Sequence, residues 1–114
     1  MAKLKHPKEV GKYIKEYLNS PYKIEILEIE NESYRLYNGF DSSDYINRIN
    51  NLKDNIMLIN ANINHRYFDK IDVLFRESRD EAAAKLGLTN DHITRIRREI
   101  REQFYNLMIQ ERLI

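Results

Sequence analysis

The chain has 114 residues, enough for one domain of ordinary size that needs no disulfide or metal to stabilise it. It contains no cysteine, which excludes disulfides, thiolate chemistry and the common structural zinc sites. The beginning, MAKLKHPKEV, lacks the apolar core of a signal peptide, and no apolar run reaches the ~18 residues of a membrane span. We therefore expect a soluble, cytoplasmic protein without membrane contact.

The net charge is only +1, so the molecule as a whole attracts a polyanion weakly. Charge is uneven along the chain, however. Residues 1–23 contain six lysines and two glutamates, whereas residues 24–44 contain six acidic residues and one arginine. Because salt limits an exposed charge to about 8–10 Å of influence, a local cluster of arginines can still bind phosphate.

Few glycines and prolines interrupt the chain, which favours an all-α fold. A first helix is predicted over residues 7–18, with an apolar stripe formed by Val10, Ile14, Tyr17 and Leu18. Ser20 and Pro21 have the residue types of an N-cap and a first helical position, so they predict the start of another helix. Residues 22–37 fit either that helix or a hairpin, and we favour the helix.

The strongest helical periodicity belongs to apolar residues that recur every three or four positions: Ile46, Ile49, Leu52, Ile56, Ile59 and Ile63. The preceding segment, NGFDSSD, predicts a loop in which Ser42, Ser43 or Asp44 caps this helix. The periodicity continues after residue 63, but Asn60, Asn62 and Asn64 are poor helix formers. We therefore predict two helices with a break among the asparagines.

Residues 79–98, RDEAAAKLGLTNDHITRIRR, have the spacing of a helix-turn-helix. Ser78 and Glu81 fit a capping box, Gly87 accommodates the left-handed corner, and Thr89 or Asn90 caps the second helix. Small and apolar residues at the expected offsets form the motif core: Ala83, Leu86, Gly87, Leu88, Ile93 and Ile96, supported by Ala82. The predicted fold is thus a small helical domain with a C-terminal helix-turn-helix.

The second helix, predicted over residues 90–107, has an inner stripe of Ile93, Ile96, Ile100, Phe104 and Leu107. Its outer face has the composition of a recognition helix that enters the major groove of double-stranded DNA. Arginine pairs with guanine, asparagine pairs with adenine, and aspartate accepts from cytosine. The predicted base-reading residues are Asn90, Asp91, Thr94, Arg95 and Arg98, and the predicted phosphate contacts are Arg79, Thr89, His92, Arg97 and Arg101. The alternative is a solvated face with pairs such as Asp91–Arg95.

The run FDKIDVLFRESRDEAAAKLGLTNDHITRIRREIREQF resembles the C-terminal half of phage late-transcription regulators of the RinA/ArpU type, which are similar to sigma factor region 4. In that pattern an aliphatic–aromatic pair, here Leu74–Phe75, precedes the helix-turn-helix, and the basic helix ends in an aromatic residue, here Phe104. The resemblance implies an all-α fold, sequence-specific promoter binding and possible contact with RNA polymerase.

We divide the chain into residues 1–60, a helical region for interaction or dimerisation, and residues 61–114, which contain the helix-turn-helix and an extended C-terminal helix. One such module makes few contacts, so a homodimer is expected, through the Ile-rich helix or the apolar tail FYNLMIQERLI. An alternative function is a protein-binding module that uses the same corner to dock RNA polymerase, a repressor or a nuclease. The acidic segment 24–44 favours this alternative.

We predict no catalytic residue, cofactor or metal site, and therefore no enzyme. His6, His65 and His92 lie far apart, without partners at metal-ligand spacing. Asp69 and Asp72 have no base or nucleophile nearby in the sequence, so we interpret them as a solvated pair.

Overall fold

A computed structural model describes residues 7–38 and 42–114 of the chain. Within these ranges the chain is helical and contains no strand, so the all-α prediction is confirmed. The elements are α1 (Lys8–Asn38), α2 (Ser43–Asn62), a short 3-10 helix (Phe68–Lys70), α3 (Ile71–Arg76), α4 (Arg79–Leu86) and α5 (Asn90–Gln110). No helix in the described ranges is both long enough and apolar enough to span a bilayer.

Helix α1 is a single element of 31 residues, and the prediction that a new helix begins at Ser20–Pro21 is wrong. Pro21 has no N–H to donate to the carbonyl of Tyr17. Ser20, immediately before Pro21, does not cap a new helix, because its hydroxyl donates to the carbonyl of Glu16, one turn earlier, at 2.6 Å. Buried side chains before and after Pro21, such as Ile14 and Leu27, hold both halves of α1 against the rest of the molecule. Residues 22–37 are helical, as favoured from the sequence.

Helix α2 runs back alongside α1 and is joined to it by polar as well as apolar contacts. The Tyr13 hydroxyl donates to Asn55 Oδ1 and the Tyr17 hydroxyl donates to Asn60 Oδ1, each at 2.6 Å. These bonds satisfy two phenol groups that are partly withdrawn from water. Two of the asparagines that make α2 look polar in sequence thus fix how the helices pair.

The end of α2 lies among the asparagines, as predicted. The helix stops at Asn62, and Ile63 adopts an extended conformation. The main chain of Asn64 then exchanges two hydrogen bonds with the side chain of Gln103, at 2.7 Å and 2.9 Å, which attaches this connection to α5. At the other end Ser42 is the N-cap of α2 by position, without a side-chain capping bond. The rest of the predicted NGFDSSD loop includes residues 39–41, which lie outside the described residues.

The hydrophobic core joins both halves of the chain. Phe104 of α5 is fully buried, and its ring centroid lies 6.0 Å from those of Tyr13 and Tyr17 in edge-to-face contacts. The same core contains Ile59 from α2 and Leu74 from α3. The division predicted near residue 60 therefore does not separate two cores. Helix α5 packs against both α1 and α2, and α3 and α4 pack against α5.

Candidate nucleic-acid interface

Local capping signals set the corner between α4 and α5. Ser78 Oγ accepts a hydrogen bond from the Glu81 N–H at 3.2 Å, and Thr89 Oγ1 accepts one from the His92 N–H at 3.2 Å. Gly87 ends α4 in the left-handed conformation, with φ 66°. These bonds and the glycine conformation satisfy free helix ends and turn the chain within three residues. The predicted caps at Ser78 and Thr89 and the predicted left-handed glycine are confirmed.

Apolar side chains hold α4 and α5 together. Ala82, Ala83, Ile93 and Ile96 are buried, and Leu86 and Leu88 are partly buried against the same cluster. All six belong to the residues that the sequence assigned to this role. α4 and α5 are therefore two distinct, packed helices rather than one continuous rod.

The outer face of α5 is open to solvent. Asp91, Thr94, Arg95 and Arg98 are exposed, while Asn90 is half-buried. Asn90 Nδ2 donates to Asp80 Oδ1 at 2.6 Å, so this amide already has an acceptor on α4. Of the five predicted base-reading residues, four thus share one exposed surface and Asn90 lies at its edge, bonded to the neighbouring helix.

The predicted phosphate contacts divide into two groups, and Arg97 belongs to the interior one. Its Nε donates to the carbonyl of Leu74 at 2.6 Å, and its Nη2 donates to the carbonyl of Glu77 at 2.9 Å. These carbonyls end the short helix α3, where no further helical N–H groups follow. Burial, and secondarily the neighbouring Arg79, lowers the pKa of Arg97. The guanidinium is engaged with the protein main chain, so we correct its sequence-based assignment from phosphate contact to structural cap.

Arg101 is also engaged within the fold. Its guanidinium carbon lies 5.3 Å from the centroid of the Phe75 ring, and the side chain is half-buried. Desolvation, with a smaller contribution from Arg97, lowers the pKa of Arg101. Arg79, Thr89 and His92 are exposed near the corner, although the Thr89 hydroxyl already caps α5.

The roles of Arg97 and Gln103 were missed at the sequence level. Both flank the apolar stripe of α5, and Arg97 lies only about 40° round the helix from Ile93. Their position beside the stripe could have indicated these structural roles, because a long polar side chain next to a buried stripe can reach a neighbouring main chain. The residue type alone could not. Charge alone favoured a surface role.

Acidic groups accompany the arginines near the corner. Glu102 is exposed on the same face as Arg98, and Glu77 pairs with Lys85 of α4. The hydrogen bond between these two groups is the main cause of the lowered pKa of Glu77 and the raised pKa of Lys85. The surface is therefore mixed in charge, with its positive groups concentrated at a few positions.

No group of three or more His, Asp or Glu side chains that could hold a metal ion occurs in the part of the chain that the structure describes. Comparisons of the chain with protein-family models, curated proteins and solved structures gave no match. The resemblance to RinA/ArpU-type regulators therefore stays a hypothesis that rests on the quoted residues.

Proposed function

We propose that this chain is a sequence-specific, double-stranded DNA-binding regulator of transcription, of the RinA/ArpU type, in which α4 and α5 form a helix-turn-helix. In this proposal α5 enters the major groove with its first turns against the bases. The observation that carries the proposal is the exposure of two arginines of α5, Arg95 and Arg98. Both are exposed on the outer face of α5, and neither has a hydrogen-bond or ion-pair partner within the described residues.

The four arginines of α5 form two pairs with different surroundings. Arg97 and Arg101 contact the carbonyls and the aromatic ring of α3, which leaves Arg95 and Arg98 to a partner. These two residues are three positions apart and share one helix face. An arginine that pairs with the O6 and N7 of guanine contributes about 1–3 kcal/mol of discrimination against another base. Asp91 and Thr94 would contact neighbouring bases, while Arg79 and His92 would contact phosphates.

The test is binding of the full chain to a labelled random-sequence duplex, followed by fluorescence anisotropy at increasing salt. We expect binding at low salt that weakens steeply, because cations released from the phosphates drive association. The double variant Arg95→Ala/Arg98→Ala should weaken it strongly. The matched control is Arg35→Ala/Arg48→Ala, which removes the same charge from exposed positions on α1 and α2.

Two outcomes would contradict the proposal. One is no binding to any duplex at low salt. The other is an equal loss in both double variants, since that would indicate attraction by total charge rather than by the outer face of α5. If the chain binds duplex DNA as expected, selection of bound sequences from a random duplex pool would identify its preferred site.

A second candidate function is a protein-binding module. Asp91 and Glu102 lie on the same exposed face as Arg95 and Arg98, and such alternation suits a protein surface better than a polyanion. The partner would be RNA polymerase, a repressor or a nuclease. Absence of DNA binding at low salt would favour this candidate.

A further inference from the structure

A cleft lies between the first turns of α5 and the connection from α2 to the 3-10 helix, residues 63–67. Its volume is about 310 Å³. Arg66 and Tyr67 line it from the connection, and His92 and Arg95 line it from α5. Sites for apolar small molecules are lined mainly by hydrophobic side chains, so this basic lining indicates a different kind of ligand.

Hydrogen bonds hold the connection against α5. His65 Nδ1 accepts from the main-chain N–H of Tyr67 at 3.1 Å, and His65 Nε2 lies 3.4 Å from Glu99 Oε1. Because Nδ1 accepts a hydrogen bond, the hydrogen of the neutral ring is on Nε2, which donates to Glu99. The preceding residue, Asn64, is bonded to α5 through its main chain. Arg66 is therefore held beside α5, and the acidic side chain that lines the cleft already has a partner.

The basic side chains of the cleft have no such partner. Arg66, His92 and Arg95 are exposed, and their side chains make no hydrogen bond or ion pair within residues 7–38 and 42–114. The guanidinium carbon of Arg66 lies 5.5 Å from the centroid of the Tyr67 ring. This contact restricts the side chain without using its N–H donors, so the cleft offers several donors to one anion.

We propose that this cleft binds a backbone phosphate of the DNA duplex, with Arg66 as the main contact and His92 as the second. The inference rests on the proposed DNA binding and adds to it a residue from outside α4 and α5. At about 100° per residue, Arg95 lies about 60° round α5 from His92 on one side and from Arg98 on the other. The cleft is thus continuous with the outer face, and a duplex on that face brings its backbone to the cleft.

Arg66 and Arg79 lie on opposite flanks of the outer face. Arg79 is close enough to Arg97 to contribute to the lowered pKa of that residue, and Arg97 is on the flank of α5 that faces α3. Arg66 lies across the other flank, beside His92. A helix in the major groove has a phosphate backbone on each side, and contacts to both backbones fix its register. The two arginines are placed to make one contact each.

Fluorescence anisotropy of the full chain with a labelled random-sequence duplex, repeated at several salt concentrations, tests the contact. Arg66→Ala should weaken binding about five- to tenfold at about 0.1 M salt and lower the slope of log affinity against log salt by about one, because one fewer phosphate is neutralised. Arg66→Lys should retain most of the slope, since lysine keeps the charge. The matched control is Arg35→Ala, which removes the same charge from an exposed position on α1 and should leave the slope unchanged.

A second variant should change the affinity in the opposite direction. Glu99→Gln keeps an oxygen that can accept from His65 and removes the negative charge from the cleft, so binding should strengthen about two- to fivefold. Glu32→Gln, at an exposed position on α1, is its control and should have little effect. Damage to the fold would weaken binding in every variant, so a gain in Glu99→Gln beside a loss in Arg66→Ala would support the phosphate site.

The results distinguish failure of this inference from failure of the proposed function. Unchanged affinity and slope in Arg66→Ala, with binding still lost in Arg95→Ala/Arg98→Ala, would overturn the phosphate site alone. An equal loss in Arg66→Ala and Arg35→Ala, or in Arg66→Ala and Arg66→Lys, would overturn it as well. No binding of the unaltered chain to any duplex at low salt would overturn both the phosphate site and the proposed function.

Discussion

Arg97 Nε, on α5, donates a hydrogen bond to the main-chain carbonyl of Leu74 in α3, at 2.6 Å. A second bond, from Nη2 to the carbonyl of Glu77, makes this one arginine a cap on the end of α3. Its neighbour Arg98 is exposed and has no such bond within the described residues. Two adjacent arginines therefore have different physical roles.

Truncation of Arg97 should destabilise the fold, whereas truncation of Arg98 should not. Arg97→Ala leaves two carbonyls without their charged donor and should lower the free energy of unfolding by about 1–3 kcal/mol. Arg98→Ala should change it by less than about 0.5 kcal/mol, as at most exposed positions. Urea denaturation followed by circular dichroism measures both. Equal losses in the two variants would disprove the assignment of Arg97 as the cap.

Arg98→Ala should instead alter DNA recognition, if the proposed function holds. We expect a loss of about 1–3 kcal/mol on the selected site and a relaxed preference at one base pair. Competition binding against a panel of single-base variants of that site measures both effects. Unchanged affinity for the selected site would exclude Arg98 as a base-reading residue.

Gly87 and Gly11 form a matched pair for testing the corner. An added Cβ meets nothing within 4 Å at either position, so only backbone conformation distinguishes them. Gly87→Ala forces an alanine into φ 66° and should destabilise the protein by about 1 kcal/mol. Gly11→Ala lies inside α1 and should stabilise it by about 0.5–1 kcal/mol. The same sign of change in both variants, measured by thermal unfolding, would refute this account.

Pro21→Ala tests how α1 continues through a proline. The alanine N–H becomes available to the Tyr17 carbonyl, so we expect the free energy of unfolding to rise by about 1–3 kcal/mol. Pro21 is exposed, so little packing is lost. Chemical denaturation provides the measurement. A clear loss of stability would mean that the ring contributes more through packing or through the unfolded chain than its missing donor costs.

Tyr13 and Tyr17 should make the protein sensitive to alkali. Burial is the main cause that raises the pKa of both phenols above the ordinary value of 10.0. Because the folded state resists deprotonation, their contribution to stability is complete below pH 10 and is lost as the pH rises through the folded-state pKa. Urea unfolding between about pH 9 and 11 should show this decline. The double variant Tyr13→Phe/Tyr17→Phe should flatten it, and an unchanged slope would contradict the assignment.

Much of the structure of α4 and α5 could be predicted from the sequence, because short-range capping residues and helix periodicity determine it. Ser78, Gly87 and Thr89 act on backbone groups within four residues of themselves, so their effects need no knowledge of the rest of the fold. The inner stripe of α5 was equally accessible, since Ile93, Ile96, Ile100, Phe104 and Leu107 are all buried. These features depend on helix geometry alone.

The incorrect helix start at Ser20–Pro21 and the missed role of Arg97 both depend on contacts between residues far apart in the sequence. Ser20 and Pro21 have the local preference of a helix start, but packing on both sides keeps them inside α1. Arg97 could not be assigned because its acceptors lie 20 and 23 residues away in the sequence.

The edge-to-face contacts of Phe104 with Tyr13 and Tyr17 bear on how the chain can be divided experimentally. A fragment that starts near residue 61 would retain α4 and α5 yet lose the aromatic rings that enclose Phe104. We expect such a fragment to expose Phe104 and to aggregate or remain partly unfolded. The segment that contains α4 and α5 is therefore not expected to fold on its own, and failure of an isolated C-terminal peptide to bind a duplex would not test the proposal for the intact protein.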